Sequence, residues 1–202
     1  MIDTIIVGGG PAGLTAAITL SRQGKQVLVL ERNKSCLKKL LITGNGHCNY
    51  WNEDQDQHHY HTTNDKLIST LLSDTLKEQA YQWIESLGIV PRIKNGYYYP
   101  FSNQATSMKE ALLTEANRLG VQIITEAMVT KIEKQGKSFY ITTPNQTYTS
   151  LHLVLATGSK AYPKTGSDGS GYQLAEMLGH TIIPSHPSLV QLEGMEKYAK
   201  DW

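Results

Sequence analysis

Asp3-Thr4-Ile5-Ile6-Val7-Gly8-Gly9-Gly10-Pro11-Ala12-Gly13 opens the stretch that decides the fold, and Gln26-Val27-Leu28-Val29-Leu30-Glu31 closes it. Ile5 to Val7 is a β-branched apolar run suited to a strand buried on both faces. The glycines follow without a spacer. An Ala- and Leu-rich segment from Pro11 to about Arg22 predicts a helix, which Gly24 ends, and Gln26 to Leu30 predicts a second buried strand stopping at Glu31.

The residue types in this run divide the work of holding a dinucleotide. Gly8 permits the tight turn from strand to helix. Gly10 lets the backbone approach a pyrophosphate with no Cβ in the way, and Gly13 lets the helix pack closely on the sheet. Free N–H groups at the helix N-terminus, from Ala12 onward, then face the phosphates. Glu31 stands roughly 20 residues on, where a carboxylate accepts hydrogen bonds from ribose hydroxyls. A lone G-x-G-x-x-G also occurs in glycine turns that bind nothing. Here strand, helix and acidic strand end follow in order, so nucleotide binding is predicted. Glu31 argues against a 2′-phosphate, because like charges would meet.

Composition narrows the classes. The chain has 202 residues, enough for one good-sized domain with a core or for one domain and part of another. Its 19 basic and 18 acidic residues leave a formal net charge of +1, which calls for neither nucleic acid nor an anionic membrane as partner. No apolar run approaches membrane-spanning length, and Met1-Ile2-Asp3 leads into a strand rather than a signal peptide. Two cysteines, Cys36 and Cys48, fit a reducing compartment, so a cytoplasmic location is expected.

Outward from the first unit, Arg32 to Lys39 is a basic connection. It reads as a solvated loop, or as a segment laying Arg32 and one of Lys38 or Lys39 over adenosine or pyrophosphate. Thr43-Gly44-Asn45-Gly46-His47-Cys48-Asn49 suits either a backbone passing close to a ligand or a surface turn. Tyr50 to Asp65 reads as a flexible loop. Its His58, His59 and His61 have no partners at metal-ligand spacing, so no metal is expected. Lys66 to Leu87 predicts two helices with a break near Ser73, a capping box at Thr75 to Glu78, and a leucine and aromatic stripe packed in the core. Asn95-Gly96 predicts a hairpin within Pro91 to Phe101, whose aromatic face borders a substrate or packs against neighbours.

A helix is predicted from Ser107 to Leu119, a strand over Val121 to Thr125, and a β-meander over Met128 to Ser150. Leu151 to Ala156 is a further buried strand. It ends at Thr157-Gly158, and ligands at parallel sheets bind beyond the carboxyl ends of strands, which groups these two residues with Gly8 and Glu31. Pro163 to Gly169 is a loop, Tyr172 to Leu178 a short helix, and Thr181 to Leu192 reads as strands.

Together these segments resemble the bacterial FAD-dependent oxidoreductases of the BaiN-like, YhiN-like or aminoacetone-oxidase family. The resemblance rests on Gly8 to Leu14, Lys38 to Gly44, Cys48-Asn49, Pro100 to Ala105, Ala156 to Gly158, Tyr162 to Tyr172 and Pro187 to Val190. It implies an α/β fold: a Rossmann-like FAD-binding domain with a parallel central sheet and a β-meander over residues 1–185. A β-rich substrate domain would begin within 186–202. The cofactor implied is FAD, with NAD(P)H as electron donor. By resemblance, Gly8, Gly10, Pro11, Ala12 and Gly13 hold the pyrophosphate and Glu31 the adenosine ribose. Thr43, Gly44, Cys48 and Asn49 approach the flavin, Val129 meets the adenine edge through its backbone, Thr157 and Gly158 flank the adenosine half, and Asp168 lies near the cofactor.

Two departures stand out. His47 occupies the place of the family's usual Arg, exchanging a permanent charge for a titratable one. Family members also run well beyond the point where this chain stops, so it looks like the N-terminal half, short of the C-terminal return over the flavin ring. The leading reading is an oxidoreductase passing a hydride from NAD(P)H to a small organic acceptor, such as an unsaturated oxo-steroid of the bile-acid kind, with amine oxidation as another activity of the family. Catalytic residues are not assigned. A non-catalytic dinucleotide-binding module is the alternative. An RNA-modifying flavoprotein is disfavoured by the near-neutral charge and the lack of a basic aromatic stripe. A dithiol reductase is disfavoured because Cys36 and Cys48 are not spaced as C-x-x-C.

Overall fold

β1 (Thr4–Val7) and β2 (Val27–Leu30), joined by helix α1 (Pro11–Arg22), form the βαβ unit read from the sequence. A computed structural model describes residues 2–60, 62 and 64–186. In it β1 and β2 are flanked by β6 (Gln122–Ile124) and β10 (His152–Leu155), giving a parallel sheet in the order β10-β1-β2-β6. Ile6 pairs with Val29 on one side and Val154 on the other.

Alternation along these strands feeds two cores. Ile6, Val27 and Val29 pack with Leu14, Ala17 and Ile18 of α1 and with Met108, Leu112 and Ala116 of α4 (Ala105–Arg118). Ile5, Val7, Leu28 and Leu30 face the opposite side. There they meet Ile132 of β7 (Lys131–Gln135), Ile141 of β8 (Ser138–Thr142) and Leu174 of α5 (Ser170–Met177). β9 (Thr147–Ser150) completes the antiparallel meander β7-β8-β9. A sheet covered on both faces explains why its strands are continuously apolar rather than alternating with polar residues.

The predicted pair of helices appears as α2 (Asp65–Leu71) and α3 (Asp74–Glu85). The capping box does not form, because the helix begins one residue before Thr75 and Ser73 takes the N-cap position without a side-chain bond. The stripe is only partly core. Trp83, Ile84 and Leu87 pack against the first cluster, whereas Leu67 and Leu71 of α2 are half exposed. The hairpin forms as β4 (Pro91–Lys94) and β5 (Tyr97–Pro100), and β3 (Trp51–Asn52) adds to it in the order β3-β5-β4. α4 starts at Ala105, two residues ahead of Ser107. Residues 181–186 carry no strand, correcting that part of the Thr181 to Leu192 expectation. The remainder of that segment, and the start of a second domain over 186–202 apart from its first residue, lie outside the described residues.

One ion-paired cluster ties the helices together. Glu115 of α4 accepts from Arg22 at 2.9 and 3.0 Å and from Arg118 at 2.6 and 2.9 Å. Arg22 also donates to Ser86 beyond α3 at 2.9 Å. Hydrogen bonds from Arg118, then from Arg22, push the Glu115 carboxyl down to about 2. A depressed carboxyl stabilises the fold fully above the unfolded-state pKa of roughly 4.3, and that contribution disappears as pH falls towards 2. Glu115→Gln is expected to cost about 1 kcal/mol at neutral pH. It should also flatten the acid limb of a denaturation series, and an unchanged limb would exclude this cluster as a source of acid lability.

Candidate functional site

A cavity of about 400 Å³ opens beyond the carboxyl ends of β1, β2 and β10. The strand ends are held in line by Gly8 N donating to the Leu30 carbonyl at 2.9 Å and Ala156 N donating to the Val7 carbonyl at 2.8 Å. Both bonds set the glycine turn beside Thr157-Gly158. Gly8, Gly10, Pro11, Ala12, Glu31 and Arg32 line the cavity, as do Lys39, Val129, Thr157 and Gly158. Ten of the residues singled out from the sequence therefore meet in one place.

The glycines differ in what surrounds them. A Cβ on Gly13 would overlap the Gly8 carbonyl oxygen, and one on Gly9 would overlap the Cys36 sulfur. A Cβ on Gly10 would meet nothing within 4 Å. Gly13 and Gly9 are thus required by the protein's own packing, while the space at Gly10 belongs to the cavity. Pro11 occupies the first turn of α1, and no side chain caps that turn among the described residues. Its remaining amides and the positive end of the helix dipole form a donor set for an anion.

Glu31 is buried at 6% exposure at the foot of the turn. One carboxylate oxygen accepts from Gly9 N at 2.7 Å; the other accepts from Asn33 N at 2.8 Å and Asn33 Nδ2 at 2.7 Å. Two carboxylate oxygens offer about four acceptor sites, so capacity remains for a ligand hydroxyl. Amides above and a carboxylate below suit a nucleotide's phosphates and ribose, and the residues present fit a dinucleotide.

The two basic residues do not reach freely across the cavity. Arg32 pairs with Asp168 at 2.8 Å and donates to Ser170 Oγ at 3.2 Å. Lys39 Nζ donates to the Ala161 carbonyl at 2.5 Å and to Ser167 Oγ. Both fasten the 159–170 loop over the site. Hydrogen bonds from Ser170 and the Arg32 guanidinium hold the Asp168 carboxyl far below the usual range. Asp168 itself is not on the cavity wall, and acts there through Arg32.

A second cavity, of about 330 Å³, shares Pro11 and Lys39 with the first and is lined by Thr43, Cys48 and Asn49 together with Trp83 and Met108. Gly44, with φ +53°, lies behind Asn49 rather than on the wall. Burial raises both thiols, Cys36 to about 11, with Glu31 adding to the effect. Both cysteines are free and buried, which disfavours dithiol exchange. His47 is exposed, and its Nδ1 lies 2.7 Å from the Asn103 carbonyl. His58 and His59 pair with Asp56 and Asp54, and no metal-ligating cluster of three occurs among the described residues.

Sequence reasoning did not single out Asn33, Ser167 or Gly171. Asn33 braces Glu31 and donates to the Thr165 carbonyl at 3.3 Å. A Cβ on Gly171 would overlap Thr157 Oγ1, so this glycine lets α5 close on the end of β10. An Asn two residues after the acidic strand end is a local signal that could have been used. The approach of Gly171 to Thr157 has no such signal.

Fold and site together define a Rossmann-type FAD-binding protein. The chain belongs to the HI0933-like family, whose Rossmann-domain model matches residues 2–197. It is 39% identical over 190 residues to a 3-dehydro-bile acid delta(4,6)-reductase of Clostridium scindens, covering 93% of this chain and 46% of that protein. It is 29% identical over 192 residues to a ribosomal RNA dihydrouridine synthase of Haemophilus influenzae, covering 93% and 48%. The chain therefore spans about half the length of the curated relatives it matches. Among solved structures, it is similar in fold to a 3-ketosteroid-delta4-(5alpha)-dehydrogenase from Rhodococcus jostii RHA1, with a TM-score of 0.59 and 16% identity over 79% of this chain and 46% of that one. No helix among the described residues is long and apolar enough to cross a membrane.

Proposed function

We propose that this chain forms the FAD-binding part of an oxidoreductase that passes a hydride from NAD(P)H to a small organic acceptor. The observation that carries the reading is the open Gly10 position between uncapped helix amides and the buried Glu31 carboxylate. Gly10 and the first-turn amides at Ala12 and Gly13 hold the pyrophosphate, and Glu31 accepts from the adenosine ribose. The Val129 backbone meets the adenine edge, with Thr157 and Gly158 beside the adenosine half. Arg32, Asp168 and Lys39 keep the 159–170 loop closed against water. Thr43, Gly44, Cys48 and Asn49 border the flavin end. Bound FAD supplies the two-electron chemistry, and the protein supplies position and electrostatics.

The relative at 39% identity favours an unsaturated oxo-steroid of the bile-acid kind as acceptor. A second reading, reduction of a base in RNA, has the Haemophilus influenzae relative in its support. Both names describe adding hydrogen across a carbon–carbon double bond, so that reaction class is common to the two readings. Titration with FAD and with FMN tests the anchor. FAD is expected to bind with a perturbed flavin spectrum and FMN at least about 100-fold more weakly, since FMN lacks the adenosine half that Glu31 and Val129 hold. Equal affinity for the two would overturn the assignment. A spectrum that perturbs with FAD but does not bleach with NAD(P)H and acceptor, in the whole protein, would favour the non-catalytic binding module.

A further inference from the structure

We propose that residues 159–168 form a lid over the first cavity, latched by Arg32, Asn33 and Lys39, and that its opening limits how fast FAD enters and leaves. The inference rests on the FAD reading above and adds to it the control of cofactor exchange. Thr165, Gly166 and Ser167 line the cavity that Gly10 and Glu31 also line. Glu31 is buried, and Asn33, which holds its carboxylate, holds the Thr165 carbonyl as well. A ribose coming from solvent therefore reaches Glu31 once this wall has moved.

The way the segment is held is that of a movable part. Among the described residues, and apart from the adjoining first turn of α5, every hydrogen bond or ion pair between 159–168 and the rest of the protein comes from three side chains of one segment. Arg32 pairs with Asp168 at 2.8 Å and donates to the Gly166 carbonyl at 3.3 Å. Asn33 donates to the Thr165 carbonyl at 3.3 Å, and Lys39 donates to the Ala161 carbonyl and Ser167 Oγ. The segment's own backbone bonds close within it: Thr165 N donates to the Tyr162 carbonyl at 3.1 Å and Gly166 N to the Pro163 carbonyl at 2.8 Å. It can thus swing without losing its shape.

Little apolar burial opposes that swing. Tyr162 is 62% exposed, and Ala161 and Pro163 are exposed too. Segments held by few buried apolar contacts open at the lowest cost in a fold. Gly158 and Gly169 flank the lid with φ of +76° and +88°, a region glycine enters without strain, and so supply a hinge at each end. A latch of this kind acts on the closed state with or without ligand. Weakening it speeds entry and exit alike and leaves the affinity nearly where it was, whereas a residue that only touches FAD changes affinity and not the opening step.

Stopped-flow flavin fluorescence on the 202-residue chain, with FAD as the probe, tests the proposal. The observed association rate of the parent should level off as FAD is raised, at the rate of lid opening. Asp168→Asn removes the latch charge from a side chain that is not on the cavity wall. It should raise the plateau and the release rate together by about fivefold, with Kd moving less than about twofold. Adding Ser167→Ala takes away one of the two Lys39 partners and should bring both rates to at least about tenfold above the parent. Hydrogen exchange of the 159–168 peptide should quicken in the same order, and FAD should slow it. If a variant fails to fold by circular dichroism, exchange of that peptide in the parent with and without FAD decides the point, and protection unchanged by FAD overturns the lid. Association proportional to FAD at every concentration, or variants that shift Kd and leave the plateau in place, would overturn the lid while the FAD assignment stands. A parent that binds no FAD would overturn both.

Discussion

Gly10→Val is expected to leave the fold standing and remove FAD binding, whereas Gly13→Val should weaken both. Gly10 has an extended backbone, with φ −79° and ψ −178°, that valine adopts without strain, and its Cβ direction is empty to 4 Å. The added side chain would stand where the pyrophosphate approaches the helix amides. Losing two charge-assisted hydrogen bonds costs about 3 kcal/mol, or roughly 100-fold in affinity. At Gly13 the Cβ would overlap the Gly8 carbonyl oxygen, and α1 must shift off the sheet to relieve it. Overpacking against backbone in a core of this kind costs about 3 kcal/mol. In a domain of this size that lowers Tm by roughly 6–12 °C. Thermal melts with FAD titrations on both variants separate the two effects. A Gly10→Val protein with undiminished flavin affinity would remove the first turn from the site.

Glu31→Ala carries the second large effect, because one carboxylate serves both the fold and the proposed ligand. Gly9 N, Asn33 N and Asn33 Nδ2 would lose their acceptor in a buried setting. Some donors recover water, which leaves a net cost of about 3 kcal/mol. Asn33 also reaches Thr165, so the loss extends to the covering loop. FAD affinity should fall by at least about 100-fold. Glu31→Gln, which keeps one acceptor oxygen, should lie between the parent and alanine in both stability and affinity. Glu31→Arg should weaken FAD as well, by replacing the acceptor with a donor. Flavin titrations that cannot tell these proteins from the parent would show that Glu31 does not hold the ribose, whatever the melts report.

The parts of the fold that were legible in the sequence rest on local physics. The Asn95-Gly96 turn is an example: both residues take positive φ, at 53° and 78°, which is what a two-residue hairpin asks for. The meander was legible for the same reason, with turns at Gln135-Gly136 and Pro144-Asn145 between β-prone runs. Errors fell where neighbours compete. Thr75 matched a capping box, but the chain break at Leu72 and Ser73 started the helix earlier. Leu67 and Leu71 had the period of a buried stripe, yet both stay about half exposed among the described residues.

The sequence by itself determined the βαβ unit, the acidic strand end and the convergence of Gly8, Glu31 and Thr157, because strand ends of a parallel sheet must share one edge. Tertiary structure alone decided what the charged residues do. Arg32 and Lys39 read equally well as ligand contacts or as a solvated loop, and became fasteners of a segment more than a hundred residues away in the chain, through Asp168, Ser167 and Ala161. It also decided which glycine faces a ligand and which faces the protein, since that depends on the Gly8 carbonyl and the Cys36 sulfur approaching from elsewhere in the chain.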